Sequence, residues 1–404
     1  MHDPFPIAPF PALSQAVQPV ADYFGLTTLP LHIHEVILAA MLYQFVYYFV
    51  APNVSNALVP VQYNALSKNR QMNWNVHVVS FVQSSMINVL ALWVMFSDDE
   101  RWEMDTQERV YGYTGAAAMI QALAAGYFLW DLLITLSNVP VFGVGMLAHA
   151  ISALLVYSFG FRPFVNYYST TFILWELSTV FLNIHWFFDK LGLTGTKGQL
   201  YNGLALIFTF FCCRLVWGTY QSYQVSKDVY AAVTGKVSYV PTTSEVAQDL
   251  TVPMRYESTM RFVTEDSHVP VWLAVIYLGA NVTLNSLNFY WFFKMIDAVR
   301  KRFEPKAKEE TEEAEKTQKT GSTTTGVETK AEIKGRPRRR TILDGEEEGE
   351  HPRPESDVPT LYKIVGKYGL WGSIGFTCQL AFALCGVIGR FECGGWCLFG
   401  VKLE

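Results

Sequence analysis

Charged residues are scarce in this sequence and are almost missing from several long stretches. Asp, Glu, Lys and Arg make up 17% of the 404 residues, whereas 50% are hydrophobic and 15% are aromatic. Soluble enzymes carry more charge, so this composition indicates a polytopic membrane protein. The charges that are present concentrate in loops and in one long tail, and the net charge is −5. We therefore expect no basic surface for nucleic acid.

Two other common patterns are also missing. The six cysteines have neither the spacing nor the histidine partners of a zinc site, so we predict no metal and no cofactor. The start of the chain, MHDPFPIAPF, lacks the basic segment and compact apolar core of a cleavable signal peptide. We expect insertion into the membrane to depend on the first membrane helix.

The sequence does contain apolar segments long enough to cross a bilayer, which takes about 20 residues each. They predict an all-α polytopic fold with about seven transmembrane helices. The predicted segments are 36–58, 76–96, 112–136, 141–161, 164–188, 201–223 and 269–293. Very short links on either side of the fourth segment predict antiparallel neighbours there.

Basic residues in the loops predict the orientation of these helices. They lie after the first, fifth and seventh segments: Lys68, Arg70, Lys190, Lys197, Lys294, Arg300, Lys301 and Arg302. With seven helices these positions all fall on one side, which is then cytosolic. An acidic loop, 98–108, falls on the other side. We expect a lumenal or external N-terminus and a cytosolic C-terminal tail.

The organisation along the chain follows from these segments. Residues 1–66 hold the N-terminal segment and the first membrane helix, and 67–302 hold six further helices with a polar insertion at 224–267. Residues 303–360 are charged and poor in aliphatic side chains, so we predict a disordered linker. Its basic run at 335–340 is read as solvated charge. An apolar, Cys-rich tail, 361–404, follows.

Three charged side chains interrupt the apolar segments: Asp131, Glu176 and Arg214. A charge in the hydrocarbon core costs about 3 kcal/mol or more, so such residues are usually functional. Other polar residues accompany them in the same segments: His149, Asn183, Asn281, Asn285 and Asn288. By helix rise, several of them converge on a cavity that opens from the cytosolic face towards the midplane.

Helical phase gives this polar set a common direction. Asn281, Asn285 and Asn288 follow the i, i+4, i+7 spacing of one helix face, and Glu176 and Asn183 share a face seven residues apart. The bland alternative is a structural ion pair between Glu176 and Arg214, with interhelical hydrogen bonds from the amides. His32 and His34, just before the first segment, are interpreted as interfacial residues.

Several motifs around these positions resemble the TLC-domain family of polytopic endomembrane proteins. The strongest is WELSTVFLNIHWFFDKLG at 175–192. Others are SKNRQMNWNVHVVSFVQS at 67–84, GYFLWDLL at 126–133, the run around Arg214, and LNFYWFFKM at 287–295. The resemblance covers about 67–302. The sequence departs from the family pattern at three positions. Ala150 follows His149, where ceramide synthases carry a second histidine. Gln83 stands where many members have histidine, and His185 stands where related members usually have arginine.

The resemblance implies a role in lipid metabolism, with two leading hypotheses. The first is a non-enzymatic protein of lipid homeostasis in the endoplasmic reticulum or another endomembrane, which binds, senses or transfers a membrane lipid in the polar cavity. The second is an acyl-CoA-dependent lipid N-acyltransferase of ceramide-synthase type, with His149 as general base and Asp131 in support; acyl-CoA would then be a substrate. A third is a structural or translocation-associated protein whose polar set serves assembly alone.

Overall fold

The computed structural model describes residues 1–235, 259–264 and 267–303, and all regular secondary structure in this part of the chain is helical. Eight helices carry the fold, and three short turns of helix lie between them at Asp99–Trp102, Thr106–Tyr111 and Pro60–Asn64. The eight are α1 Pro11–Phe24, α2 Leu29–Leu58, α3 Lys68–Ser97, α4 Gly115–Ser137, α5 Val139–Phe159, α6 Asn166–Lys190, α7 Lys197–Thr234 and α8 Val271–Phe303.

Six of these helices, α2 to α7, are long and apolar enough to cross a membrane. The chain is thus a multi-pass membrane protein, which confirms the predicted all-α polytopic fold. The seventh predicted segment forms α8, a helix of 33 residues, which is ample length for a crossing. It is not among the six because Asn281, Asn285 and Asn288 lower its mean hydropathy.

Several long helices are irregular. A stretch of π-helix interrupts α2 at Val46–Val50, and another interrupts α7 at Phe211–Trp217. Helix α6 begins with two 3₁₀ turns around a short α-helical turn and becomes regular at Leu177. Helix α5 breaks near its start at Gly143, whose φ of 81° favours glycine. π-Helical segments are frequent at functional sites, so the one in α7 indicates a candidate site there.

Four predicted boundaries differ from the structure by more than a few residues. Helix α3 begins at Lys68 rather than at residue 76, and α8 ends at Phe303 rather than at residue 293. Helix α2 begins at Leu29 rather than at residue 36, so His32 and His34 lie inside the helix and are 1% exposed. Both histidines are therefore packed inside the protein, and their location at the membrane interface stays a prediction. Helix α7 continues to Thr234, so the first part of the predicted insertion 224–267 is helical. Val225 and Val229 bury one face of that extension, which explains why a polar sequence stays helical there.

Helix α4 is the most enclosed of the six membrane helices, because 78% of the residues in its most apolar stretch are buried. It packs against α2 on one side and α5 on another, while α6 packs against both α3 and α7. Gly126 allows the close approach of α2, because a Cβ there would lie 2.4 Å from the Val36 carbonyl oxygen. Small residues at such contacts are typical of membrane helices.

Polar contacts join the loops at one end of the bundle. Arg109 forms a two-point ion pair with Asp228 of α7, at 2.7 and 3.0 Å, and the Tyr168 hydroxyl donates to the same carboxylate. Nearby, the Tyr113 amide donates to the Thr259 carbonyl. At the opposite end, Tyr63, Trp74 and Trp186 pack together around the link between α2 and α3.

The last part of α8 belongs to a separate compact unit that starts at Phe289. Its described residues end in ion pairs on the helix surface, in which Asp297 accepts from Lys301 at 2.8 Å and from Arg300 at 3.2 Å. The predicted linker at 303–360, with its basic run, and the tail at 361–404 lie outside the described residues, apart from residue 303.

Candidate functional site

Arg214 is the centre of the buried polar residues in the membrane region. It lies in the π-helical stretch of α7 and is 6% exposed. Its Nε donates to the Trp175 carbonyl at 2.8 Å and to the Ser178 hydroxyl at 2.9 Å, and its Nη2 donates to the Thr179 hydroxyl at 2.9 Å. The start of α6 thus wraps the guanidinium with backbone and hydroxyl oxygens.

Two of the predicted site residues complete the ring around Arg214. Glu176 accepts from Nη2 at 3.4 Å, and Asn288 of α8 accepts from Nη1 at 2.9 Å through its side-chain oxygen. The 3₁₀ turn that ends at Glu176 directs this carboxylate towards α7. The predicted ion pair therefore forms between α6 and α7, and Asn288 connects it to α8.

Some buried atoms at this network have no hydrogen-bond partner in the described part of the chain. They include the Trp175 indole nitrogen, Nδ2 of Asn288 and Oδ1 of Asn285. The indole nitrogen lies against Gly218, where an added Cβ would come within 2.3 Å of it. Buried polar groups without partners are rare in proteins and destabilise them. A bound molecule or water would satisfy these three.

The asparagine face of α8 extends this network along the helix. Asn285 donates to the Ser222 hydroxyl of α7 at 2.7 Å and to the side-chain oxygen of Asn281 at 3.1 Å. Asn281 itself is 3% exposed. The predicted i, i+4, i+7 face of α8 is thus the face that α7 meets.

Asp131 and His149 lie on the hairpin of α4 and α5. Asp131 is buried and interacts electrostatically with Glu176. His149 interacts electrostatically with Arg214, and its ring meets the edge of Phe128 at a centroid distance of 6.2 Å. Both residues are thus electrostatic neighbours of the Arg214 network.

Asn183 stands apart from that network. Its side-chain oxygen lies 2.8 Å from Nδ1 of His77, and its side-chain nitrogen donates to the Ser80 hydroxyl at 3.0 Å. Asn183 therefore joins α6 to α3, whereas Glu176, on the predicted common face, contacts α7. The irregular start of α6 separates the partners of the two residues.

A small internal cavity lies close by, among α4, α5, α6 and α8. Its lining includes Gln121, Tyr157, Tyr168, Ser169 and Tyr277, and none of the eight predicted site residues lines it. Tyr157 nevertheless interacts electrostatically with Glu176. Nε2 of Gln121 is buried without a partner among the described residues, so the cavity has a polar corner.

A further buried polar cluster was not predicted. Near the start of α2, His32 and Glu35 are 1% and 0% exposed and lie beside Asp3. The only signal in the sequence is the i, i+3 spacing of a histidine and a glutamate on one helix face. The other members come from distant parts of the chain.

One family model and several known proteins match this chain. Residues 73–297 match the TLC domain, and all eight predicted site residues lie within that range. An uncharacterized TLC domain-containing protein of Schizosaccharomyces pombe is 38% identical over 292 residues, which are 72% of this chain and 87% of that protein.

More distant relatives come from budding yeast and from animals. Topoisomerase I damage affected protein 4 of Saccharomyces cerevisiae is 26% identical over 281 residues, which are 68% of this chain and 86% of that protein. TLC domain-containing protein 4 of Homo sapiens is 29% identical over 176 residues, which are 43% of this chain and 65% of that protein.

Proposed function

Because the chain belongs to the TLC-domain family, as its motifs predicted, we propose that it acts in lipid homeostasis by binding a membrane lipid. The protein would reside in the endoplasmic reticulum or another endomembrane. In this proposal the polar network around Arg214 receives the lipid head group, while the acyl chains lie along the apolar helices. No chemical reaction is required for such a role.

The single observation that carries the proposal is the set of unpartnered buried atoms on Trp175 and Asn288, which contact Arg214, and on Asn285 one turn along α8. The indole nitrogen of Trp175 and Nδ2 of Asn288 are donors, and Oδ1 of Asn285 is an acceptor. A polar group without a partner inside the bilayer lowers the stability of the protein by several kcal/mol. Such groups are therefore expected where they serve binding. Donors and an acceptor together suit a head group with hydroxyl, amide or phosphate oxygens.

The residues around these atoms support a head-group site rather than an acyl-chain site. Arg214 supplies a positive charge, and Glu176 offsets it at 3.4 Å. Such a pair makes the site nearly neutral, so it would accept a zwitterionic or uncharged head group more readily than an anionic one. Trp175 adds a flat aromatic surface beside the donors.

The test is identification of the lipid that co-purifies with the protein in mild detergent, by mass spectrometry. Asn288→Leu has a similar branched shape but removes the unpartnered donor, together with the oxygen that accepts from Arg214. Losing one hydrogen bond of this kind weakens binding about tenfold, which corresponds to about 1.4 kcal/mol. We expect one lipid class to be enriched over the membrane from which the protein was extracted, and the enrichment to fall in the variant.

Ser286→Ala is the matched control, because Ser286 is exposed on the same helix and donates to the Val282 carbonyl of that helix at 2.8 Å. It should keep the lipid. Thermal unfolding of both variants checks that they remain folded. Wild-type protein without any enriched lipid, or equal enrichment in Asn288→Leu and Ser286→Ala, would contradict the proposal.

The acyltransferase hypothesis has one observation in its favour: His149 is partly exposed, whereas Asp131, Glu176 and Arg214 are buried. A general base must be reachable by the substrate amine. Membranes that contain the protein, supplied with labelled acyl-CoA and a sphingoid base, distinguish the two functions. Formation of N-acyl product that requires His149 would favour the enzyme.

A further inference from the structure

A histidine and two carboxylates meet at the end of the bundle where α2 begins, well away from Arg214. Nδ1 of His32 lies 2.7 Å from Oε1 of Glu35 and 3.5 Å from Oδ2 of Asp3. One ligand atom from each residue lies within 4.8 Å of the other two. His32 and Glu35 are almost fully buried, while the side chain of Asp3 is 30% exposed.

The fold brings these residues together in a way that the sequence does not reveal. His32 and Glu35 are neighbours on the first turns of α2. Asp3 reaches them because the N-terminal segment packs on the start of α4, where the Gly115 amide donates to the Met1 carbonyl at 3.1 Å. A Cβ at position 115 would lie 2.3 Å from the Asp3 amide nitrogen, so glycine permits this approach.

Further hydrogen bonds orient the potential ligands. Nε2 of His32 lies 2.6 Å from the Tyr113 hydroxyl, and the Phe5 amide donates to Oδ1 of Asp3 at 2.9 Å. When Nε2 carries the proton and donates to Tyr113, Nδ1 has its lone pair free to bind a cation. This arrangement of an outer partner that fixes the histidine is typical of metal sites.

Glu35 provides an independent observation that favours a ligand at this cluster. Its Oε2 is buried and has no hydrogen-bond partner in the described part of the chain. A second carboxylate, that of Asp3, lies on the same side and repels it. Buried carboxylates of like charge need a cation or a proton between them.

We propose that Asp3, His32 and Glu35 bind a divalent transition-metal ion, with Zn²⁺ as the probe. One nitrogen and two oxygen ligands suit Zn²⁺ and leave a fourth position open. In a tetrahedral site, ligand atoms about 2.0 Å from zinc are about 3.3 Å apart, which the observed separations approach. The partly exposed Asp3 side provides an entry path for the ion.

Other charged and titratable groups nearby bear on the charge of this site. Nε2 of His34 lies 3.8 Å from the same Glu35 oxygen but faces the Ile7 carbonyl at 2.8 Å. The Arg261 guanidinium lies over the ring of Tyr113 at 4.6 Å and interacts electrostatically with His32. Two carboxylates balance a divalent ion, so Arg261 leaves the occupied site with a modest positive charge.

The experiment measures zinc retained by purified, detergent-solubilised full-length protein after incubation with Zn²⁺ and gel filtration. We expect one zinc per chain for the wild type and at least about a tenfold loss of affinity for Glu35→Gln and for Asp3→Asn, since each removes a ligand charge. Asp3 lies in a partly exposed segment, so Asp3→Asn should fold even if Glu35→Gln does not. Zn²⁺ should also raise the Tm of the wild type and not that of these variants.

His2→Gln is the matched control, because it removes an exposed imidazole next to Asp3 that is outside the cluster. This variant should bind zinc as the wild type does. A second readout uses Co²⁺ in place of zinc. The visible absorption spectrum of bound Co²⁺ reports the ligand geometry and should change in Asp3→Asn. The proposal fails if the wild type retains no zinc, or if Asp3→Asn and Glu35→Gln retain as much as His2→Gln. The first result would mean that a shared proton holds the two carboxyl groups.

Discussion

Arg214 illustrates how one side chain can organise a membrane interior. Its guanidinium donates to five groups: a backbone carbonyl, two hydroxyls, a carboxylate and an amide oxygen. These contacts from α6 and α8 offset the free-energy cost of removing the charge from water. This degree of satisfaction favours an assembly role for Arg214 itself, while the unpartnered atoms beside it are the ones that a ligand would use.

Arg214→Leu should destabilise the protein strongly. It leaves the Glu176 carboxylate buried without its cation, and removal of one partner of a buried ion pair destabilises by about 3–5 kcal/mol. The double variant Arg214→Leu with Glu176→Leu should recover part of that loss, because no charge remains unpaired. Thermal unfolding in detergent measures both effects.

Arg300→Leu is a suitable control for this comparison. Arg300 pairs with Asp297 on the surface of α8, and its side chain is 69% exposed. An exposed pair of this kind contributes little, so the Tm should stay close to that of the wild type. If Arg214→Leu unfolded at the same temperature as Arg300→Leu, the network would not be important for stability.

The contact of α2 with α4 shows how whole helices are positioned. Gly126 lies where the helices are closest, and its ideal Cβ would be 2.7 Å from the Cβ of Ala39 as well as 2.4 Å from the Val36 carbonyl oxygen. Backbone atoms cannot move aside as a flexible side chain can. The separation of the two helices is therefore set by glycine and alanine.

Gly126→Ala should push these helices apart and destabilise the protein by about 1–3 kcal/mol, as overpacking of a tight interior does. Gly145→Ala is the matched control in α5, because nothing lies within 4 Å of its ideal Cβ. Alanine there should be neutral or stabilise by up to about 1 kcal/mol through helix propensity. The measurement is the Tm of each variant in the same detergent. Equal Tm values would mean that the α2–α4 contact adapts to alanine without strain.

The helices differ in how far the sequence predicts them. Long apolar runs predict α3 to α6 to within a few residues at most ends, because membrane crossing requires length and low polarity. Helix α2 begins earlier than predicted because Pro30, His32 and Glu35 reduce the hydropathy of its first turns while remaining buried. The π-helical stretch around Arg214 follows from packing between helices, which no local pattern records.

The same reasoning applies to the candidate site. Asp131, Glu176 and Arg214 could be identified because charge is rare in apolar segments. Their partners could not: Asn183 bonds to His77 rather than joining Glu176, since the 3₁₀ turns of α6 change which helix each residue meets. The cluster of Asp3, His32 and Glu35 depends on contacts between the chain start and α4, which only the tertiary structure supplies.

The predicted orientation requires the basic and the acidic loops to lie at opposite ends of the bundle. The link between α2 and α3, next to Lys68 and Arg70, packs near the end of α6, where Lys190 lies. At the other end, residues near the acidic loop contact the end of α7, as the pair of Arg109 with Asp228 at 2.7 Å shows. The basic and acidic loops of this part of the chain thus lie at opposite ends.

Cysteine labelling tests which end faces the cytosol. In a variant whose six cysteines are replaced by alanine, single cysteines are introduced by Lys197→Cys and by Glu103→Cys, both at exposed positions at opposite ends. The positive-inside rule places Lys197 in the cytosol and Glu103 in the lumen. In sealed microsomes a membrane-impermeant maleimide should then label the first variant alone, and both after permeabilisation.

The two variants also serve as controls for each other, because each must react once the membrane is opened. Labelling of Glu103→Cys in sealed microsomes, with protection of Lys197→Cys, would reverse the orientation. The result bears on both proposals. With the predicted orientation the cluster of Asp3, His32 and Glu35 faces the lumen, so its metal must be available there, whereas acyl-CoA, which the alternative function needs, is supplied from the cytosolic end. A reversed orientation would bring the cluster to the cytosol and turn the predicted cavity of His149 towards the lumen, away from the supply of acyl-CoA.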